Sequence, residues 1–215
     1  MRRHFTNYGR IVENQIWERD QKPEGLNATN WHLPKYKSFI DSQFHKREHG
    51  DWILLGGKPV WLCGSYWFFL QEYKEGSNYP SLRIIQNELM MFWEACKADQ
   101  RCYGMNYVKN RRFGASALGN NELIYSGISN ENKILGMLSK KGSDARKIFN
   151  RLVRAYKRLS PYFQVETDGT STPKKELVFQ EQNRRRRVGE MIDDDAGLNT
   201  VITWHNTELN AMDAT

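Results

Sequence analysis

Residues 107–118 read YVKNRRFGASAL, a basic stretch that ends in small residues. The run before it, RCYGMNYVK (101–109), is rich in β-forming residues and predicts a strand. The run after it, SALGNNELIYSG (116–127), predicts a helix. A basic loop with a glycine between a strand and a helix has the position of a phosphate-binding loop.

The loop departs from the pattern G-x-x-x-x-G-K-[S/T] at two positions. Gly114 falls on the second glycine and Ser116 on the Ser/Thr, but Lys109 takes the place of the first glycine and Ala115 that of the lysine. Phosphate binding requires N–H groups at a helix N-terminus, a hydroxyl for Mg²⁺ and a cation for the β/γ-phosphates. A lysine that enters from the start of the loop can supply that cation. The motif alone is equally compatible with a basic surface turn.

Strands and helices are predicted to alternate along much of the chain. A hairpin is indicated by WILL and PVWLCG on either side of Gly56-Gly57, and later strands by NKILGMLS, KELVFQEQN and GLNTVITW. The run YWFFLQEY and the aromatic residues around it are expected to be buried. This order favours a layered α/β fold with a largely parallel sheet. Residues 1–50, which are polar with scattered Gly and Pro, predict an irregular arm or a few short helices.

Two segments have the spacing of amphipathic helices. The first, residues 82–98, has Ser81 at or near its cap and the apolar residues Leu82, Ile85, Leu89, Phe92 and Trp93. The second, residues 143–159, has Ser143 as cap, Asp144 at its positive end and the apolar residues Ile148, Leu152, Ala155 and Leu159. Arg151, Arg154 and Arg158 share the opposite face of the second helix, which is expected to be a solvated face or a surface for DNA.

The charge is unevenly distributed along the 215 residues. The net charge is +7, and residues 140–190 contain 14 Lys and Arg against 6 Asp and Glu. A basic region of this kind suggests a polyanionic partner, although a solvated basic face is an equally good interpretation. Arg184–Arg187 belong to this region and are assigned either to a DNA channel or to a solvated segment.

Composition excludes several classes of protein. The three cysteines, Cys63, Cys96 and Cys102, form no C-x-x-C pair. Their spacing argues against a disulfide scaffold and a zinc site, and it indicates a reducing compartment. The amino terminus has no apolar core of a signal peptide. The most apolar stretch, residues 52–70, is interrupted by Lys58, Pro59 and glycines, so no membrane span is expected.

The loop and its surroundings resemble the ATPase domain of tailed-phage terminase large subunits, the DNA-packaging motors. The loop matches a deviant form, K-x-R-x-x-G-x-S, in which the lysine comes early. PSLRIIQNELMMFWE is similar to the segment of the family that contacts adenine. LSKKGSDARKIFNRLVRAYKRLSPYF, ELVF and GLNTVITWHNTELNAMDA are similar to its later helix and strand segments. The resemblance covers about residues 50–215 and implies a P-loop NTPase fold of the RecA/ASCE-like type, with residues 1–50 as an arm and 51–215 as a partial ATPase domain.

The resemblance implies roles for individual residues. Lys109 would sense the phosphates, and with Arg112 it would be a catalytic group. Ser116 would be the Mg²⁺ ligand. Gln86 would contact adenine, with a solvated helix glutamine as the alternative. The remaining residues expected to bind ATP are Asn110, Arg111, Phe113, Gly114 and Ala115.

An ATPase also needs acidic residues for Mg²⁺ and for water activation. Asp193–Asp195 follow only two apolar residues and are interpreted as a solvated turn. The acidic Walker B strand and a nuclease domain are therefore expected beyond Thr215, so that the chain is part of a longer protein and is inactive in hydrolysis by itself.

The resemblance also implies partners and a place of action. The full-length protein would hydrolyse ATP to drive double-stranded DNA into a procapsid, as a homo-oligomeric ring on the portal protein, with a small terminase subunit that selects the DNA. It would work in the host cell cytoplasm, away from membranes. Two alternatives stay open: another nucleic-acid-stimulated, helicase-like ATPase, and a non-enzymatic basic virion protein that binds DNA.

Overall fold

The computed structural model describes residues 17–180 and 197–207. The chain divides into two compact units, Met1–Ala115 and Ser116–Thr215. Helices and strands are mixed, as the predicted α/β class requires. Within the described ranges no helix is both long and apolar enough to cross a bilayer. Two groups that the sequence singled out, Arg184–Arg187 and Asp193–Asp195, lie outside the described residues.

The first unit contains helices and one antiparallel hairpin. Its elements are a 3₁₀ turn (Pro34–Tyr36), α1 (Lys37–His49), β1 (Asp51–Leu55), β2 (Lys58–Leu62), α2 (Gly64–Gln71) and α3 (Ile84–Ala98). Gly56 and Gly57 form the two-residue turn between β1 and β2, with φ of 56° and 77°. Both values lie in the left-handed region that this kind of turn requires, which confirms the predicted hairpin.

Helix α2 forms the core of the first unit. Every residue from Gly64 to Gln71 is buried, and Tyr66, Trp67 and Phe68 have no exposed surface. A helix that is apolar on all sides is stable only when it is surrounded by other elements. The aromatic run is therefore core, as the sequence predicted.

The second unit contains a three-stranded sheet. Its elements are α4 (Ala115–Gly127), β3 (Ile134–Ser139), α5 (Gly142–Tyr156), a 3₁₀ turn (Pro161–Phe163), β4 (Glu176–Phe179) and β5 (Thr200–Asn206). The strand order is β3-β5-β4, with β3 parallel and β4 antiparallel to β5. The prediction of a largely parallel sheet is therefore wrong. A parallel neighbour needs a crossover connection, usually helical, whereas irregular chain after α5 brings β4 to the sheet in the opposite direction.

Helix α5 buries the apolar face that its sequence predicts. Phe149, Leu152 and Ala155 have no exposed surface, and Ile202 of β5 is equally buried. The basic residues predicted on the other side of the helix are all exposed: Arg151 and Arg154 lie on α5, and Arg158 lies two residues after its end. The period of the sequence thus identified both faces of this helix.

The predicted cap of α5 is wrong, whereas Ser81 lies near the cap of α3 as predicted. The cap residue of α3 is Arg83, and that of α5 is Lys141; neither makes a side-chain cap hydrogen bond. Ser81 precedes the cap of α3 by two residues, and Ser143 is already the second residue of α5. A serine side chain stabilises a helix start only at the cap position, where the backbone leaves the helix.

Residues 102–110 form neither a helix nor a strand, so the strand predicted before the loop is wrong. Tyr103 and Val108 are almost completely exposed. β-forming residues make a strand only when a neighbouring strand and a buried face are present. No strand pairs with this segment in the described part of the chain.

Candidate phosphate-binding loop

The candidate loop, residues 109–114, follows this extended segment and ends where α4 begins. Lys109, Asn110, Arg111 and Arg112 are exposed, whereas Phe113 is only 8% exposed. The Phe113 ring lies 5.1 Å from that of Tyr107, measured between centroids. One buried aromatic residue thus anchors a loop whose cationic side chains all face solvent.

The loop backbone alternates in φ. Arg112 has φ of 70° and Gly114 of 90°, while φ is negative at Arg111 and Phe113. Alternation between right-handed and left-handed residues turns successive N–H groups toward one side, which is the geometry of an anion-binding nest. The N–H groups of Arg111, Arg112 and Gly114 donate no hydrogen bond within the described residues. The loop thus has the alternating sign of φ that such a nest requires.

Gly114 is required for a second reason, which the sequence did not reveal. A Cβ atom at this position would lie 2.9 Å from the Gln86 amide nitrogen, in addition to the unfavourable φ. Gln86, on α3, is buried, and its amide donates a 2.7 Å hydrogen bond to the carbonyl oxygen of Phe113. The loop thus lies directly on a buried amide, and any side chain at residue 114 would displace it.

Arg83 and Tyr66 complete the support under the loop. The Arg83 guanidinium lies 3.4 Å from the Arg112 carbonyl oxygen and 3.5 Å from that of Phe113. The Tyr66 hydroxyl accepts the Arg83 N–H at 2.9 Å and lies 3.4 Å from the Gln86 carbonyl oxygen. Burial raises the pKa of the Tyr66 hydroxyl, so it remains protonated over the neutral range. These groups hold the loop from the side opposite to solvent.

This geometry gives Gln86 a different position from the one expected. Its amide donor already bonds to the loop, and its carbonyl oxygen faces the Tyr66 hydroxyl. Gln86 therefore positions the loop, and the predicted adenine contact stays a prediction.

The cations of the loop have no acidic partners. Within the described residues no ion pair joins Lys109, Arg111 or Arg112 to a carboxylate. Ser116, the predicted Mg²⁺ ligand, is the second residue of α4 and is exposed. N–H groups in the first turn of a helix have no intrahelical acceptor. The segment thus combines free positive charge, unpaired N–H groups and a hydroxyl.

A cavity of about 520 Å³ precedes α3 in the first unit. It is lined by Trp17, Arg19 and residues 77–82. The Arg19 guanidinium bonds to the carbonyl oxygens of Leu70 (2.9 Å) and Pro80 (3.0 Å) and lies 3.9 Å above the Tyr79 ring centroid. Desolvation lowers the pKa of Arg19. The sequence analysis missed Trp17, Arg19 and Tyr79, because isolated aromatic and basic residues in irregular chain form no pattern.

Within the described residues, the carboxyl ends of the parallel strands carry no acidic pair. β3 ends at Ser139 and β5 at Asn206. Among residues 17–180 and 197–207, no group of three His, Cys, Asp or Glu side chains could hold a metal ion.

Comparison with known proteins adds no family assignment. Neither protein-family models nor curated protein sequences give a match to this chain.

Proposed function

We propose that residues 109–114, with the first turn of α4, bind the phosphates of Mg²⁺-ATP in a fold of the P-loop NTPase type. The observation that supports this most strongly is the alternating φ of residues 111–114, with unpaired N–H groups, directly before a helix start. A basic surface turn needs neither this backbone nor the buried Gln86 that supports it.

Each loop residue has a role in this proposal. Lys109 and Arg112 contact the β- and γ-phosphates as point charges, and Arg111 adds a further contact. The backbone of Asn110, Phe113, Gly114 and Ala115 provides the cradle. The Ser116 hydroxyl is the protein ligand of Mg²⁺, a hard cation that prefers oxygen ligands and neutralises phosphate charge when bound.

The wider role that we propose is that of a viral DNA-packaging motor. ATP hydrolysis by the full-length protein would move double-stranded DNA into a procapsid, in a ring on the portal protein and with a small terminase subunit, in the host cell cytoplasm. Two observations support this proposal. The segments that resemble those of terminase large subunits follow one another in the same order, and residues 140–190 are rich in Lys and Arg.

Calorimetric titration of the purified chain with Mg²⁺-ATP tests the loop. We expect saturable binding that Lys109→Ala weakens by about tenfold, ~1.4 kcal/mol. Lys58→Ala is the matched control, because Lys58 is an exposed lysine at the start of β2, directly after the tight turn. Equal affinities of the two variants would contradict the proposal, provided that both have the circular dichroism spectrum of the parent.

The Mg²⁺ role of Ser116 has its own matched control. Ser116 and Ser143 are both the exposed second residue of a helix, α4 and α5 respectively. Ser116→Ala should weaken ATP binding in Mg²⁺ but not in EDTA, and Ser143→Ala should change neither. An equal loss of ATP affinity in EDTA would mean that the Ser116 hydroxyl stabilises the helix and is not a Mg²⁺ ligand.

A second candidate function, DNA binding without nucleotide, is favoured by the exposed basic face of α5. Arg151 and Arg154 are exposed on α5, and Arg158 is exposed two residues after its end. Reversing the three charges should lower duplex affinity and flatten its salt dependence, since fewer counterions would be released. DNA binding that is indifferent to ATP would favour this function. ATP hydrolysis stimulated by single strands would favour the helicase-like alternative.

A further inference from the structure

The two edge strands of the sheet in the second unit, β3 and β4, differ in whether described residues hydrogen-bond to their outer side. On the outer side of β4, the Asp168 N–H donates a 3.2 Å hydrogen bond to the Val178 carbonyl oxygen, so a loop covers that edge. On the outer side of β3, no hydrogen bond from the described residues reaches the strand. Within residues 17–180 and 197–207, the β3 edge is therefore open.

The backbone groups that are open can be identified from the pairing with β5. The Val201 N–H bonds to the Lys133 carbonyl oxygen (2.8 Å), and the Thr207 N–H to that of Ser139 (3.1 Å). In a parallel pair, alternate residues bond to the same neighbour. The N–H and C=O groups of Ile134, Gly136 and Leu138 consequently point away from β5, to the open edge.

The side chains on this strand are apolar and accessible. Ile134 is 54% exposed and Leu138 53% exposed. Proteins usually protect an edge strand with a charge, a proline, a bulge or a short length. The six residues ILGMLS contain no charge and no proline, and their register with β5 is regular. The strand is thus a template for a further strand.

The charges beside the strand select among possible occupants. Lys140 and Lys141 follow it directly and Lys133 precedes it; all three are exposed, and no ion pair engages them within the described residues. A second copy in antiparallel register would place Lys133 beside Lys140, and a parallel copy would place each lysine beside itself. Like charges that face each other are destabilising. Glu131 offsets Lys133 at the amino end, so the excess positive charge lies at the carboxyl end.

We propose that the open edge of β3 binds an extended segment of another protein as a fourth strand. The segment has apolar side chains at alternate positions and carboxylates that lie beside Lys140 and Lys141. Main-chain hydrogen bonds to residues 134, 136 and 138 provide affinity. The carboxylates determine whether the segment runs parallel or antiparallel to β3. This site does not depend on the phosphate-binding role of the loop.

Fluorescence anisotropy with labelled decapeptides tests the site. The probes alternate valine and threonine and carry two aspartates at one end, amino-terminal in one peptide and carboxyl-terminal in the other. Saturable binding of one of them is expected, and its orientation reports parallel or antiparallel addition. Lysines in place of the aspartates, or N-methylated backbone amides, should each weaken binding by at least tenfold.

Two variants localise the binding. Gly136→Pro removes an N–H group that the fold does not use, at an edge position where proline is tolerated, and should weaken binding at least tenfold. Leu138→Lys places a charge on the accessible face of β3 and should also weaken peptide binding at least tenfold. Changing both Lys140 and Lys141 to Glu should weaken binding of the acidic peptide. The same change at Lys174 and Lys175, which precede β4 on the covered edge, should leave that binding unchanged.

Hydrogen exchange supplies an independent signature. Bound peptide should slow exchange of the Ile134, Gly136 and Leu138 amides and leave Leu135 and Met137, which already bond to β5, unchanged. Absence of saturable binding, or binding that both Gly136→Pro and Leu138→Lys leave intact, overturns the proposal. Concentration-dependent self-association of the chain that Gly136→Pro abolishes also overturns it, since a second copy would then occupy the edge.

Discussion

Helices α3 and α5 have the same length, but their predicted apolar faces differ in burial. Each has 15 residues and an apolar period in its sequence. In α5 the apolar residues form the core, and Phe149 has no exposed surface. In α3 the buried residues are Gln86, Asn87 and Met90, while Phe92 is 59% exposed. An apolar period therefore predicted both helices but only one buried face.

The reason lies in what each helix packs against. Helix α5 packs against the strands of the sheet, which offer an apolar surface. Helix α3 faces backbone carbonyl groups. The Asn87 amide donates to the Trp61 carbonyl oxygen at 2.7 Å, and the Gln86 amide donates to that of Phe113. Buried carbonyl groups need donors, and these amides provide them. The polar residues of α3 are thus buried because they face backbone carbonyl groups, one in β2 and one in the loop.

The largest expected effect comes from the same substitution on the two helices. Phe149→Ala should lower the free energy of unfolding by about 3–5 kcal/mol, because it leaves a cavity in the core of the second unit. Phe92→Ala should change it by less than about 0.5 kcal/mol. Urea denaturation followed by tryptophan fluorescence measures both. Similar losses for the two variants would mean that Phe92 is covered in solution.

An intermediate effect is expected at the buried amides of α3. Gln86→Leu keeps most of the side-chain volume but leaves the Phe113 carbonyl oxygen without its donor, which costs about 1–3 kcal/mol. Gln100→Leu, at an exposed position of the same unit, is the control.

The same Gln86 variant should loosen the loop. Tryptic cleavage after Arg111 and Arg112 should be faster in Gln86→Leu than in the parent chain. Unchanged cleavage together with unchanged stability would show that the amide does not hold the loop.

The smallest expected effect concerns the helix caps. Both cap residues have the extended backbone that a cap requires, with φ/ψ of −136°/117° at Arg83 and −115°/127° at Lys141. Lys141→Asp should therefore stabilise the chain by about 0.5–1 kcal/mol. Arg83→Asp should give no gain, because the guanidinium contacts to the loop carbonyl groups are lost. Thermal unfolding of the two variants distinguishes them, and equal gains would mean that these contacts contribute nothing.

Much of the fold was accessible from local sequence. The glycine pair predicted the hairpin turn, the apolar periods predicted α3, α4 and α5, and short β-rich runs predicted β3, β4 and β5. The strand predicted at residues 101–109 failed although its composition is similar to that of β3. β3 pairs with β5, and in the described part of the chain nothing pairs with residues 102–110. Pairing involves residues distant in sequence, so composition cannot reveal it.

The candidate site divides in the same way. Its basic loop, its glycine and the helix after it could be identified from the order of residues alone. The support by Gln86 and Arg83 could not, because these residues precede the loop by more than twenty positions. Nor could the residues around the cavity before α3, which follow no period.

The sequence by itself thus determined the local elements: the left-handed turn at Gly56-Gly57, the helices with their periods, and the basic loop before α4. These depend on backbone preferences and on contacts within a few residues. Only the tertiary structure decided which face of α3 is buried, that β4 runs antiparallel, and that no described residue pairs with the outer edge of β3. Each of these depends on which distant groups meet and on whether every buried carbonyl group finds a donor, and neighbouring residues do not encode that.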